Sequence, residues 1–260
     1  MKSILAFLFS LVFSAITLAQ PLPNLPTDNA SFTPAQQAQI EQIVHTYLVA
    51  HPEVLVEASN ALQQNQMKKM QEEGVQGAKD NLNDLLNNPT SPVAGNPNGP
   101  ITLIAFLDYQ CVHCRDMAPI LEKLVDANSN LRVVFKEFPI FGPDSVFAAK
   151  AAIAAAKQGK YFEFHNALMT SKNPLTNAQV LIIAKNVGLN INQLKKDMKN
   201  KAMEDELQNN YALAKKLNLI GTPAFIVTKT DVTSGTDATV KFFPGATTQD
   251  NLQNMIDEIK

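Results

Sequence analysis

Along the 260 residues the spacing of apolar and polar positions changes several times, and each change predicts an element. Residues 4–18 form an apolar run behind a lone Lys2, followed by small residues at Thr17 and Ala19. The run is short for a membrane span and has the flanks of a secretory signal peptide, 1–19, cleaved before Gln20. A proline-punctuated leader at 20–30 follows. From Thr33 the period is helical: Thr33, Pro34 and Gln36 supply an N-cap, a first-turn proline and a capping-box partner, and Ile40, Ile43, Val44, Tyr47 and Leu48 share one face. His51-Pro52 breaks that helix. A second helix is expected to about Glu73, with Val54, Leu55, Ala58, Leu62 and Met70 apolar and an amide-rich end at 63–69. Gly74 and Gly77 are expected to loosen the chain before a short helix bearing Leu82, Leu85 and Leu86, and 89–99 reads as a Pro/Gly/Asn linker.

Beyond the linker the pattern turns to β. Residues 101–107 are almost continuously apolar and run into Cys111-Val112-His113-Cys114, after which helical spacing resumes through Val125. Residues 131–138 predict a second strand, parallel to the first through a right-handed crossover. Helical patterns then fill 143–217, with an interruption near Asn200, which is too much helix for a simple crossover and predicts an inserted subdomain. Strands at 221–227 and 239–243, a polar turn at 231–237 and a helix at 248–259 complete an α/β domain spanning 100–260. Residues 31–88 are expected to be a helical appendage whose apolar stripe is covered by another copy of the chain, as a dimer or trimer, or else by its own domain.

Composition narrows the chemistry. A net charge of −2 with no long basic run gives no footprint for nucleic acid. Only two cysteines exist, both in the Cys-X-X-Cys, so redox chemistry is confined to one place. Zinc would need about four ligands, and no second Cys or His pair stands at matching spacing. At a strand-to-helix junction the two sulfurs are unequal: Cys111 meets the unpaired N–H groups and positive dipole end of the helix, while Cys114 turns inward. Cys111 is thus the attacking thiol and Cys114 the resolving one. Export would place this dithiol in an oxidising compartment.

Cys111-Val112-His113-Cys114, the helical insert, and Gly221-Thr222-Pro223 at the start of the next strand resemble the thioredoxin fold of the DsbA-like thiol–disulfide oxidoreductases. Residues 138–145 and 159–165 resemble the bacterial envelope branch that includes Com1-like and ScsC-like proteins, and Tyr47-Leu48-Val49-Ala50-His51-Pro52-Glu53-Val54-Leu55 resembles the helical extension of that branch. The resemblance implies a thioredoxin fold with an inserted helical subdomain and an N-terminal helical appendage. It implies a periplasmic or envelope enzyme that forms or isomerises disulfides in exported proteins, uses no cofactor beyond the Cys111–Cys114 disulfide, and is recycled by a membrane redox partner. Cys111 would be the exposed nucleophile. The His113 imidazole would stabilise its thiolate, and Thr222 and cis-Pro223, with Val112, would contact an extended substrate. A Cu(I)-binding envelope protein using the same thiolates is the alternative. Where DsbA has a buried acid this chain has Ala105, and Asp108, Glu137 or Lys136 are candidate substitutes that surface ion pairing would explain equally well.

Overall fold

The computed structural model describes residues 32–233 and 238–259, so the expected signal peptide, the leader and part of the 231–237 turn lie outside the described residues. The chain divides into two units, one ending at Ser59 and one beginning at Asn60. The first holds helix α1 (Pro34–Ala50) and the opening turns of α2 (Glu53–Asp80). Thr33 caps α1 reciprocally: its hydroxyl accepts from the Gln36 N–H, and its own N–H donates to Gln36 Oε1 at 2.9 Å. No residue of α1 is buried. Ile43 is 66% exposed, and Ile40, Val44 and Tyr47 are exposed beside it.

The second unit is built on β2 (Ile101–Leu107), every residue of which is buried. A strand covered on both faces needs no alternation, which is why its sequence is a nearly continuous apolar run. With α3 (Leu82–Leu86), β1 (Val93–Gly95), α4 (Val112–Ala127), β3 (Leu131–Glu137), β4 (Ala224–Lys229) and β5 (Val240–Pro244), it forms a five-stranded sheet ordered β1-β3-β2-β4-β5 and its first covering helices. β2 and β3 are parallel, with Ile101 opposite Leu131 and Leu107 opposite Glu137; the other pairings are antiparallel. Between β3 and β4 lie α5 (Pro143–Ala156), α6 (Tyr161–Met169), α7 (Asn177–Asn186), α8 (Ile191–Asp197) and α9 (Lys201–Lys216), and α10 (Gln249–Asp257) ends the fold. The period of two sorts the core. Leu103, Ala105, Leu107, Val133 and Phe135 face one layer with α4, α5 and α10, while Ile104, Phe106, Val134 and Ile226 face the other with α3 and the end of α9.

The appendage and linker differ from expectation. α2 does not stop near Glu73 but continues through Gly74 and Gly77, both buried. These glycines permit close approach. A Cβ on Gly74 would lie 2.3 Å from the Phe242 ring, and one on Gly77 would lie 2.6 Å from the Lys216 carbonyl oxygen. Leu82, Leu85 and Leu86 are fully buried in the second core layer, so this end of the expected 31–88 segment belongs to the sheet domain. The expected linker at 89–99 contains β1, whose three residues pair with β3. Such a strand takes its stability from its partner and carries no pattern of its own.

Gly77→Ala gives a sign test. In a helix interior that only needed propensity, alanine would stabilise by about 1 kcal/mol. Against the fixed Lys216 carbonyl it is expected to destabilise by roughly 1–3 kcal/mol in denaturant unfolding, and a gain in stability would refute the close-contact reading.

Candidate active site

The apolar run of β2 ends at a loop, Asp108-Tyr109-Gln110, that delivers Cys111 to the N-cap of α4. The loop is fixed by Asp108. Its buried carboxylate accepts from the Gln110 N–H (2.8 Å), the Ser145 hydroxyl (2.7 Å) and the backbone N–H groups of Ile140 (2.7 Å) and Phe141 (3.1 Å). One side chain therefore joins the dithiol loop to the β3–α5 connection. The Cys111 N–H donates to the Asp108 carbonyl at 3.1 Å, and the Asp108 N–H lies 3.5 Å from Cys114 Sγ.

Both cysteines are free thiols, and both are buried: Cys111 is 4% exposed and Cys114 fully covered. Cys111 is thus more enclosed than the exposed nucleophile expected from sequence. The reason is the Thr222-Pro223 loop, joined by a cis peptide bond, whose Thr222 carbonyl accepts the Cys111 thiol at 3.3 Å. The Thr222 hydroxyl is buried and has no partner in this thiol state. Next to Cys111, Val112 is 69% exposed, and Ile220, two residues before Thr222, is 84% exposed.

The two sulfurs are electrostatically unequal. The Cys111 thiol is lowered to about 5, chiefly by the hydrogen bond its thiolate receives from Cys114, with further help from the Thr222 hydroxyl and the N–H groups of Cys114 and His113. Burial pushes Cys114 far above the ordinary cysteine value. His113 is exposed, and among the described residues its ring makes no hydrogen bond or ion pair. Its backbone N–H is among the donors that favour the thiolate.

The three charged residues near the loop are buried, which removes surface ion pairing as their explanation. Lys136 faces the second core layer, where it donates to the Asp84 carbonyl and the Ser91 hydroxyl, both at 2.8 Å. Ser91 in turn donates to Glu206, which also accepts from Asn88. Glu137 faces the dithiol's layer. It accepts from Tyr109 and Tyr161, each at 2.7 Å, while its second oxygen has no partner. Burial raises its carboxyl to about 8. The Tyr109 hydroxyl lies 3.0 Å from His165 Nδ1, and burial lowers that imidazole to about 3, so it is neutral. Sequence reasoning assigned no role to Tyr109, Tyr161 or His165; the local signal was polar groups inside the helical spacing of α6 for Tyr161 and His165, and none for Tyr109 in the loop. Among the described residues no group of three or more His, Cys, Asp or Glu side chains is placed to hold a metal ion.

A thioredoxin family model matches residues 87–258. The chain belongs to the thioredoxin family. Residues 36–69 match the N-terminal domain of the copper resistance protein ScsC, which makes the chain a DsbA/ScsC-like member of that superfamily. A thioredoxin-like oxidoreductase from Silicibacter pomeroyi DSS-3 is 41% identical, covering 68% of this chain and 95% of that one with a TM-score of 0.61. BcfH from Salmonella enterica Typhimurium is 36% identical, covering 86% and 96%, with a TM-score of 0.67. Proteus mirabilis ScsC, as a linker-deletion mutant, is 27% identical over 88% and 97%, with a TM-score of 0.61. Among curated relatives, the Na(+)/H(+) antiporter NhaA 3 of Salinispora tropica is 27% identical over 58% of this chain, which spans only 24% of the antiporter. Among the described residues no helix is long and apolar enough to cross a membrane.

Titration of the reduced thioredoxin-fold chain by thiolate absorbance near 240 nm is expected to show a midpoint near 5 that disappears in Cys111→Ser and rises in Thr222→Val. The folded value lies below the unfolded one. Reduced protein should therefore lose stability relative to oxidised protein as pH falls through the window between the ordinary cysteine value and about 5. Glu137 has the opposite sign. Its contribution is present below the ordinary carboxyl range and lost as pH rises towards 8. Oxidised Glu137→Gln should accordingly show a flatter decline in melting temperature between pH 5 and pH 8 than the unmutated protein, and parallel curves would place the ionisation elsewhere.

Proposed function

We propose that this chain is an envelope thiol–disulfide oxidoreductase that forms or reshuffles disulfides in exported proteins. The observation that carries the reading is the placement of the two sulfurs, Cys111 at the N-cap of α4 with its thiol 3.3 Å from the Thr222 carbonyl and Cys114 fully covered one turn on. A stabilised Cys111 thiolate favours the dithiol, which makes the Cys111–Cys114 disulfide an oxidant. A client thiolate attacks Cys111 Sγ, the Cys111–Cys114 bond breaks, and Cys114 leaves with the electron pair and takes up a proton. A second client thiolate then attacks the client sulfur of the mixed disulfide and releases the Cys111 thiolate. The client has lost two electrons and the enzyme has gained them, and a membrane redox partner returns the dithiol to the disulfide. Run from the reduced state, the Cys111 thiolate attacks a mispaired client disulfide, and Cys114 frees the enzyme if reshuffling stalls. No cofactor beyond the dithiol enters either cycle. Relatives named for this chemistry include a probable disulfide bond formation protein D of Bacillus anthracis, 25% identical over 57% of this chain and 75% of its own length.

Thr222, Pro223 and Val112 are assigned to holding the client strand, and a second copy of the chain is assigned to the exposed face of α1. The unburied Ile40, Ile43, Val44 and Tyr47 support that assembly. Since Leu82, Leu85 and Leu86 are already covered, the assembling surface is narrowed to the front of the 31–88 segment.

The mature chain is expected to oxidise reduced ribonuclease and to recover activity from scrambled ribonuclease, and Cys111→Ser is expected to do neither. An Ile43→Lys, Tyr47→Lys double variant should elute as a monomer in light-scattering chromatography and retain oxidation while losing most recovery from scrambled substrate. Turnover by Cys111→Ser would overturn the redox reading, and an unchanged oligomer in the double variant would overturn the interface.

A further inference from the structure

On the face of the sheet opposite the dithiol, a cavity of about 390 Å³ lies between α9 and α3 with the segment that follows it. Five of the residues lining it are asparagines, Asn83, Asn87, Asn88, Asn209 and Asn210, and Lys136 of β3 is another. Asn210 is the informative one. It is 1% exposed, its Nδ2 donates to the Glu137 carbonyl at 3.1 Å, and that bond fixes the amide so that Oδ1 is a buried acceptor with no partner. Lys136, also 1% exposed, uses two of its three N–H donors on the Asp84 carbonyl and the Ser91 hydroxyl. The charges are matched: Asp84 lies 3.5 Å from Lys216, and Lys136 shares Ser91 with the buried Glu206 carboxylate. A buried acceptor and a spare donor in a charge-balanced cavity call for a neutral partner that both donates and accepts.

We infer that this cavity binds a neutral saccharide unit, with Asn210 and Lys136 holding its hydroxyls and Asn209 supplying a further amide at the exposed side. The site is separate from the dithiol and does not depend on the exchange activity proposed above. A sugar hydroxyl donates and accepts through one oxygen, so adjacent hydroxyls on a ring answer the Asn210 oxygen and the Lys136 ammonium together. A simple anion only accepts and a simple cation only donates, so neither does both. Pro89, Ala212 and Leu213 supply an apolar part of the lining, against which the C–H face of a pyranose can lie. The volume is at the small end of the range for ligand cavities, which suits one or two rings. A peptide also carries donors and acceptors, but along an extended line, whereas these groups converge on one compact space.

The test uses the full mature chain, isotopically labelled at asparagine, and NMR titration with three probes: maltose, diacetylchitobiose and a capped Gly-Ser-Gly peptide. At least one of the two sugars is expected to bind with a Kd of about 1 mM and to shift the Asn210 side-chain amide resonances. Those of Asn128, which bonds to Leu124 and Gln253 away from the cavity, should stay in place. Ala212→Trp, at an exposed position on the lining, obstructs the cavity without removing a hydrogen bond and should abolish the shift. Asn209→Ala, also at an exposed position, should weaken binding about fivefold. Both variants are expected to keep the melting temperature of the unmutated chain. Absence of a sugar-dependent shift at tens of millimolar would overturn the inference and leave the cavity to water. A shift produced by the peptide alone, or a sugar-dependent shift that persists in Ala212→Trp, would overturn it as well.

Discussion

Everything at the dithiol depends on solvating two adjacent sulfurs differently. Cys111 sits where a helix begins, so N–H groups without intrahelical acceptors face a developing thiolate, whereas Cys114, one turn further, is enclosed by the core. The inequality is reinforced by the pair itself. Cys114 keeps its proton because it is buried, and a protonated Cys114 is a donor to its neighbour's thiolate. The Thr222 hydroxyl, unpartnered in the thiol state, is a further donor already in place. Burial of Cys111 does not cancel this, because buried charge is tolerable where donors converge on it.

Holding that geometry is the work of buried polar residues that join distant parts of the chain. Asp108 ties the dithiol loop to the start of the helical insert through three hydrogen bonds. Glu137, Tyr109, Tyr161 and His165 tie the end of β3 to α6. On the opposite face Lys136, Ser91, Glu206 and Asn88 tie β3 to the segment preceding β1 and to α9. Adjacent residues of one strand point to opposite faces, so Lys136 and Glu137 each serve a different layer. With Ala105 in β2, the buried carboxyls beside the dithiol are Asp108 in the loop and Glu137 on the neighbouring strand, opposite Leu107.

What could be read from sequence follows from how local each cause is. The capping box at Thr33, the break at His51-Pro52, the apolar run of β2 and the strand–dithiol–helix junction are set by residues a few positions apart, and each element forms where its pattern places it. The helical insert was legible for the same reason, α6 occupying Tyr161–Met169. β1 was not legible, because three residues among prolines and glycines become a strand only when β3 supplies their partner. Gly74 and Gly77 misled in an instructive way. Glycine in a helical pattern reads as a breaker, yet here it answers a ring and a carbonyl that lie more than 130 residues away in sequence. At His113 the backbone matters as well as the residue type, since its N–H is one of the donors to the thiolate.

The methionines of α2 show why the polar end of that helix resisted interpretation. Helical periodicity finds an apolar stripe wide enough to cover a core, and two methionines among glutamines and lysines make no such stripe. A groove wall needs less: Met67 and Met70, one turn apart, line a groove whose remaining surface includes the Thr222-Pro223 loop. Redox tuning is equally local. Each unit by which the Cys111 thiolate is favoured moves a two-electron potential by about 30 mV, and that depends on donors within reach of the sulfur, all of which come from the start of α4, the partner cysteine and Thr222. Met67 and Met70 supply none of them. The oxidising strength of the dithiol is therefore set at the start of α4 and by the Thr222 loop facing it.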